Sequence, residues 1–129
     1  MAVRTTFDGY AYSAMRLAAG FLFLFHGLQK VLGMYGGTQM GLTTLPGIAG
    51  VIELVGGTLV AFGLFTSPVA FICSGEMAVA YFMAHQPQGL WPIQNQGELA
   101  ALYCFVFLYI STRGGGPISL DRMMRGKKG

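Results

Sequence analysis

Ionisable side chains lie inside otherwise apolar runs of this sequence, and several could form one site. The candidates are two imidazoles and two carboxylates, His26, Glu53, His85 and Glu98. A carboxylate beside an imidazole can exchange protons and hydrogen bonds with the carbonyls of a quinone head group. The same four groups are ligands that zinc, iron or manganese accept, although their spacing matches no known metal motif. A haem would need His26 and His85 as axial ligands from both sides, which makes it the least suitable of the three.

Arg16 and Glu76 form a second candidate set, placed deeper in two of the apolar runs. An isolated charge in lipid costs several kcal/mol, so the two are predicted to pair. Such an ion pair would lock the first span to the third and fix helix register. The alternative is that the two charges mark a path for a small solute.

The composition explains why these positions matter. The chain has 129 residues, of which 53% are hydrophobic and only 10% are charged. Soluble domains carry about 25% charged residues, so the composition indicates a membrane protein. The net charge of +3 comes from basic residues near the C-terminus, which favours anionic lipid head groups over nucleic acid as a partner. No P-loop, dinucleotide fingerprint or Ser-His-Asp arrangement is present.

Apolar runs of the length needed to cross a bilayer, about 20 residues, occur four times. The sequence therefore predicts an all-α fold, a transmembrane antiparallel four-helix bundle in a single domain, 1–129. The predicted spans are 12–32, 46–66, 68–86 and 97–113, followed by a basic tail, 114–129.

The distribution of basic residues predicts the orientation. Segments 33–45 and 87–96 carry no charge, while basic residues gather near both termini. Lysine and arginine favour the cytoplasmic side, so both termini are expected there. Counted at 1.5 Å per residue from the outer ends, His26 and Glu53 lie about 8–9 Å deep and Glu98 about 2 Å deep. We therefore expect a polar cluster in the outer half of the bundle.

Helical phase separates the two ionisable residues of the third span. Glu76 and His85 are nine positions apart and fall on opposite faces of a straight helix. We expect Glu76 to face the bundle axis and His85 to sit at the membrane interface. For Glu98, a first-turn acid favoured by the helix dipole is an equally good interpretation.

Four segments carry a resemblance to a known family: "RLAAGFLFLFHGLQKVLG", "GVIELVGGTLVAFGLFTSPVAF", "MAVAYFMAHQPQGLWPIQNQGELAALYCFVFLYIS" and "GGGPISLDR". Together they resemble the DoxX family of small bacterial four-span membrane proteins, over about residues 13–122. The positions that the family pattern emphasises are Arg16, His26, Gly27, Lys30, Gly33, Glu53, Gly56, Gly57, Gly63, Leu64, Thr66, His85, Asn95, Gly97 and Glu98. Two positions depart from it: Ser67 replaces a frequent basic residue, and Glu76 stands where a small or apolar residue is usual.

The resemblance implies a multi-pass protein of the bacterial inner membrane. The family's namesakes look like subunits of a thiosulfate:quinone oxidoreductase, so we expect a quinone-linked redox subunit that receives electrons from a partner protein. The alternative is a membrane scaffold or small-solute carrier without enzymatic activity. A homo-oligomer is compatible with either, and the sequence sets no number.

Overall fold

The computed structural model describes residues 2–128, which form helices joined by short connections, with no strand among them. The third helix continues beyond its α-helical part through a π-helical turn, Tyr81–His85, and a 3₁₀ turn, Gln86–Gln88. We call the end of the bundle that carries residues 63–65 and the C-terminal segment the tail end, and the opposite end, with residues 33–44 and 89–97, the loop end. The helices are α1 (Ala2–Leu32), α2 (Leu45–Phe62), α3 (Thr66–Ala80), α4 (Pro92–Asn95), α5 (Glu98–Arg113) and α6 (Leu120–Lys128).

Helices α1 and α2 form the closest pair in the structure, running antiparallel and touching backbone to backbone. A Cβ atom on Gly27 would lie 2.3 Å from the Leu54 nitrogen, and one on Gly20 would lie 2.4 Å from the Ala61 nitrogen. In lipid, helices associate through such small residues because van der Waals packing replaces the hydrophobic drive. The glycines therefore set the spacing of this pair.

Helices α3 and α5 form the second pair, and aromatic side chains join the two pairs. Phe23 of α1 is fully buried, with its ring centroid 4.7 Å from that of Phe107 and 5.1 Å from that of Tyr103 on α5. On α3, the Ser74 hydroxyl donates to the Cys104 carbonyl at 2.7 Å. The core thus lies on the bundle axis, while large apolar side chains cover the outside.

The predicted all-α transmembrane bundle is confirmed, with some changes in the boundaries. Within residues 2–128, three helical segments are long and apolar enough to cross a membrane: Thr6–Leu32, Leu45–Phe62 and Thr66–Gln88. The fourth predicted span, 97–113, corresponds to α5, which has 16 residues and is shorter than these three segments. The second ends four residues early because Gly63 adopts the left-handed conformation, with φ 72°, and terminates α2. The predicted basic tail contains a further helix, α6.

We predict that Gly27→Ala destabilises the bundle, because the new methyl group would overlap the α2 backbone. Overpacking of this kind costs about 1–3 kcal/mol. The matched control is Gly75→Ala on α3, where a Cβ meets nothing within 4 Å, and this change should leave stability unchanged or slightly higher. Thermal denaturation of both variants in detergent, followed by circular dichroism, measures the difference. Equal melting temperatures for the two variants would contradict the proposed backbone contact.

Candidate functional site

An ion pair between α1 and α2 lies in the half of the bundle nearer the loop end. The Lys30 Nζ is 2.7 Å from Glu53 Oε2, and the Glu53 side chain is fully buried. The lysine reaches it across Gly50, where a Cβ would lie 2.7 Å from the Lys30 Cβ. Gly50 therefore leaves the space in which the aliphatic part of Lys30 crosses α2.

Glu76 on α3 faces the same carboxylate. Gly56 allows α3 to approach α2 closely, since a Cβ there would lie 2.6 Å from the Cys73 sulfur. One helical turn further along this antiparallel pair, Glu53 and Glu76 come opposite each other. Their side chains are within hydrogen-bonding reach, and Lys30 lies within electrostatic range of Glu76. We call Lys30, Glu53 and Glu76 the carboxylate site.

The carboxylate site opens onto a groove between α2 and α3 with a volume of about 590 Å³. Lys30 and Glu76 are its charged lining residues, and Glu53 lies behind them, fully buried. The remaining walls are apolar, formed by Leu45, Pro46, Ile48, Ala49, Ile52, Ile72, Gly75, Val79, Ala80, Met83 and Ala84. Such a groove suits an apolar molecule with a polar head placed against Lys30 and Glu76.

The predicted ion pair between Arg16 and Glu76 is not formed, which corrects the expectation from sequence. Arg16 lies at the tail end and is 2% exposed. Its guanidinium donates to the carbonyls of Val60 at 2.7 Å, Ala61 at 2.6 Å and Gly115 at 2.8 Å, and also to that of Ile118. Two of these are carbonyls in the last turn of α2, where the regular helical hydrogen bonds end, and that of Val60 also accepts from the Gly63 nitrogen at 3.0 Å. Arg16 therefore joins α2 to the C-terminal segment and has no role at the carboxylate site.

Asp121 completes the tail end by capping α3. Its carboxylate accepts from the backbone nitrogens of Phe65 at 2.8 Å and Thr66 at 2.9 Å, and from the Thr66 hydroxyl at 2.7 Å. Partial burial alone would raise the pKa of Asp121, but the hydrogen bonds from Thr66 and Phe65 outweigh it and hold the pKa below its usual value. The GGGPISLD segment thus connects the C-terminal part of the chain to α1, α2 and α3.

His85 and the buried Asn95 organise the loop end. The His85 Nδ1 lies 3.1 Å from the Asn95 carbonyl oxygen. The Asn95 side chain is fully buried, donates to the Gly89 carbonyl at 2.9 Å and to the Tyr81 hydroxyl at 3.2 Å, and accepts from the Gly97 nitrogen at 2.8 Å. These contacts fold residues 89–97 back onto α3, so His85 has a structural partner here.

The structure does not bring the four residues of the predicted outer cluster together. His26 packs edge-on against the Tyr103 ring, with centroids 6.1 Å apart, and the partner of Glu53 is Lys30 in its place. Glu98 is exposed at the start of α5. Within the described residues, no three His, Cys, Asp or Glu side chains converge to hold a metal ion. Of the four candidates, only Glu53 belongs to the carboxylate site.

Lys30 is the site residue that the chemical argument from sequence missed. Its position held two usable signals, because it follows His26 by one helical turn and belongs to the positions emphasised by the resemblance. The importance of Gly50 as the crossing point depends on the rotation of α1 against α2. That rotation cannot be obtained from depth alone.

Comparisons with known proteins agree with this architecture. The family model of DoxX matches residues 11–86. An uncharacterised protein of Haemophilus influenzae is 41% identical over 119 residues, covering 87% of this chain and 89% of the relative. A Bacillus subtilis protein named "Putative oxidoreductase CatD" is 30% identical over 120 residues, covering 88% of this chain and 87% of the relative. No solved structure matches.

We predict that Lys30→Met destabilises the protein by about 2–3 kcal/mol, because the buried Glu53 carboxylate loses its cation and must either stay charged without a partner or take up a proton. The cost is below that of breaking a fully buried pair since about a third of Lys30 is exposed. Lys30→Met combined with Glu53→Gln should recover most of the loss. Arg122→Met, at an exposed basic residue of α6, is the control. Denaturation curves showing Lys30→Met to be as stable as the control would disprove the pairing.

We also predict an acid-dependent contribution from Asp121. Its pKa is lower in the folded state, so its stabilisation is full above the unfolded value of about 3.9 and is lost as pH falls through the folded value. At pH 7, Asp121→Ala should cost about 1 kcal/mol through loss of the cap. The difference from wild type should shrink below about pH 4. Melting temperatures between pH 3 and pH 7 test this, with Glu98→Ala as the control; a gap that is independent of pH would refute it.

Proposed function

Because the chain belongs to the DoxX family, we propose that this membrane protein is a quinone-linked redox subunit whose quinone site is the groove between α2 and α3. The observation that carries the proposal is the groove itself, which is apolar along its walls and charged at Lys30 and Glu76. This location replaces the outer cluster expected from the sequence. Glu53 is retained as the residue that holds Lys30 in place.

The groove matches both parts of a membrane quinone. The aliphatic walls suit an isoprenoid tail arriving from the lipid, and the protein does not need to desolvate the tail from water. The Lys30 ammonium group has donors beyond the one given to Glu53 and can donate to a carbonyl oxygen of the head group. Glu76, as a carboxyl group at the groove wall, can exchange a proton with the same head group.

When bound, a quinone accepts two electrons and two protons. The proposal assigns the electrons to a partner oxidoreductase and the binding and proton exchange to this chain. The name of the Bacillus subtilis relative, "Putative oxidoreductase CatD", supports a redox setting. Placement in a bacterial inner membrane with both termini cytoplasmic belongs to the same proposal, supported by basic residues near the termini.

The contacts of Arg16 favour a different function for the tail end. A solute path would need Arg16 to face Glu76 across the membrane interior, whereas its guanidinium donates to main-chain carbonyls. Arg16 therefore supports a scaffold role there, in which the C-terminal segment with α6 presents a fixed surface to a partner or lipid head groups. This role is compatible with quinone binding in the groove.

Titration with decylubiquinone, a short-tailed quinone analogue, tests the proposal by isothermal calorimetry on the purified protein. Gly75→Phe is the blocking variant, since Gly75 lines the groove and a side chain there meets open space. Leu102→Phe is the matched control, on an exposed position of α5 outside the groove. We expect saturable binding to wild type and to Leu102→Phe, and at least tenfold weaker binding to Gly75→Phe.

Two results would overturn the proposal. Saturable binding that is unchanged in Gly75→Phe would place the quinone elsewhere on the protein. Absence of saturable binding in wild type, with correctly folded protein, would leave the scaffold role as the better account of the chain. If wild type binds decylubiquinone, mass spectrometry of an organic extract of the gently purified protein would identify the natural quinone.

A further inference from the structure

The carboxylate site contains buried carboxylate oxygens that receive no hydrogen bond. Glu53 Oε2 accepts from Lys30 at 2.7 Å. The other oxygen, Glu53 Oε1, is buried and has no hydrogen-bond donor, and the same is true of Glu76 Oε1. Buried carboxylate oxygens without a donor are rare because each loses its hydration without compensation.

The two unsatisfied groups face each other. Glu53 and Glu76 are within hydrogen-bonding reach of one another, and the register set by Gly56 and Cys73 places them on adjoining turns. Two ionised carboxylates at this separation repel, and each would still lack a donor. One proton held between the two carboxyl groups removes the repulsion and supplies a donor that both groups lack.

Charge neutrality of the site also requires one bound proton. Lys30 contributes one positive charge, and two ionised glutamates would leave a net charge of −1 inside the membrane, which costs several kcal/mol. Two further titratable groups lie within electrostatic range, the Cys73 thiol on α3 and the Tyr103 phenol on α5. Burial disfavours the charged form of a thiol or a phenol, so both are neutral at pH 7 and do not change the balance. One bound proton makes the site neutral.

We propose that Glu53 and Glu76 share a single proton at neutral pH, so that the groove ends on a proton-binding site composed of Lys30 and this carboxyl pair. Glu53 is held by Lys30, and Glu76 is the member that lines the groove. Glu76 is therefore the residue through which the shared proton is exchanged with whatever occupies the groove. The proton count is independent of the occupant, and only the identity of the proton acceptor rests on the proposed quinone function.

In that function the carboxyl pair gives its proton to the quinone as the quinone is reduced. The partner oxidoreductase supplies the electrons that reduce the quinone. The O–H bond of the Glu53–Glu76 pair breaks, and a new O–H bond forms on the quinone oxygen next to Glu76. The site is left with one net negative charge, which favours its reprotonation from solvent, and the reprotonated pair then gives the second proton of the quinol in the same way.

The glutamates of this sequence are Glu53, Glu76 and Glu98, so the proton can be counted directly. Carbon-13 labelling of the glutamate side-chain carboxyl carbon, in quinone-free protein reconstituted in nanodiscs, gives NMR signals from these three groups alone. At pH 7 we expect the shifts of Glu53 and Glu76 to account together for one bound proton. Glu98→Gln, the control, should remove one signal and leave that proton in place.

Two variants give opposite expected results. Glu76→Gln should reduce the count from one proton to none, because a single carboxylate paired with Lys30 is already neutral as a pair and has no second carboxyl group with which to share a proton. Lys30→Met should raise the count from one to two, because the site loses its positive charge. Full ionisation of all three glutamates in wild type at pH 7, or a proton that persists in Glu76→Gln, would overturn the proposal. The wild-type count alone decides if a variant does not fold, and because no quinone is present, its outcome is separate from that of the quinone titration.

Discussion

The backbone contact between α1 and α2 is the constraint on which the other features of the molecule depend. Gly20 and Gly27 on α1 fit against the main chain of α2 with no room for a side chain. Because α1 and α2 are so close, the Lys30 side chain can reach Glu53 only by passing over Gly50, where a side chain would block it. Because small residues on one face of α2 receive α1 and Gly56 on another receives α3, Glu53 is enclosed between three helices. The buried carboxylate is thus a consequence of helix spacing.

The two ends of the bundle satisfy their polar groups in different ways. At the tail end, the permanent charge of Arg16 is surrounded by main-chain carbonyls, and Asp121 accepts from main-chain nitrogens. Main-chain partners carry no titratable charge, and hydrogen bonds hold the pKa of Asp121 below its usual value, so this end keeps one arrangement at neutral pH. The carboxylate site instead depends on side chains that can gain or lose a proton. The chemical role of the protein is therefore better placed at the carboxylate site than at the tail end.

Hydropathy and the resemblance predicted the helices, their membrane character and the family, because these depend on composition and on motifs along the chain. The partners of the buried charges were harder to predict. Counting residues gave similar depths for His26 and Glu53, but depth does not determine the rotation of a helix, and rotation directs Lys30 instead of His26 to Glu53. The expected partner of Arg16 was wrong for another reason: main-chain carbonyls accept its hydrogen bonds, and no sequence pattern marks them.

Glu76 is one of two positions at which the resemblance suggests a departure from the family pattern, and the structure gives such a departure a physical meaning. With an apolar residue there, Lys30 at the groove wall and the buried Glu53 behind it would form a neutral pair. The second carboxyl group disturbs that balance, and its position on the wall makes the disturbance accessible to a molecule dissolved in the lipid. A proton that restores neutrality must then be exchangeable at the groove. A relative that lacks a carboxylate at this position and binds a ligand in the groove should therefore do so without a shared carboxyl proton.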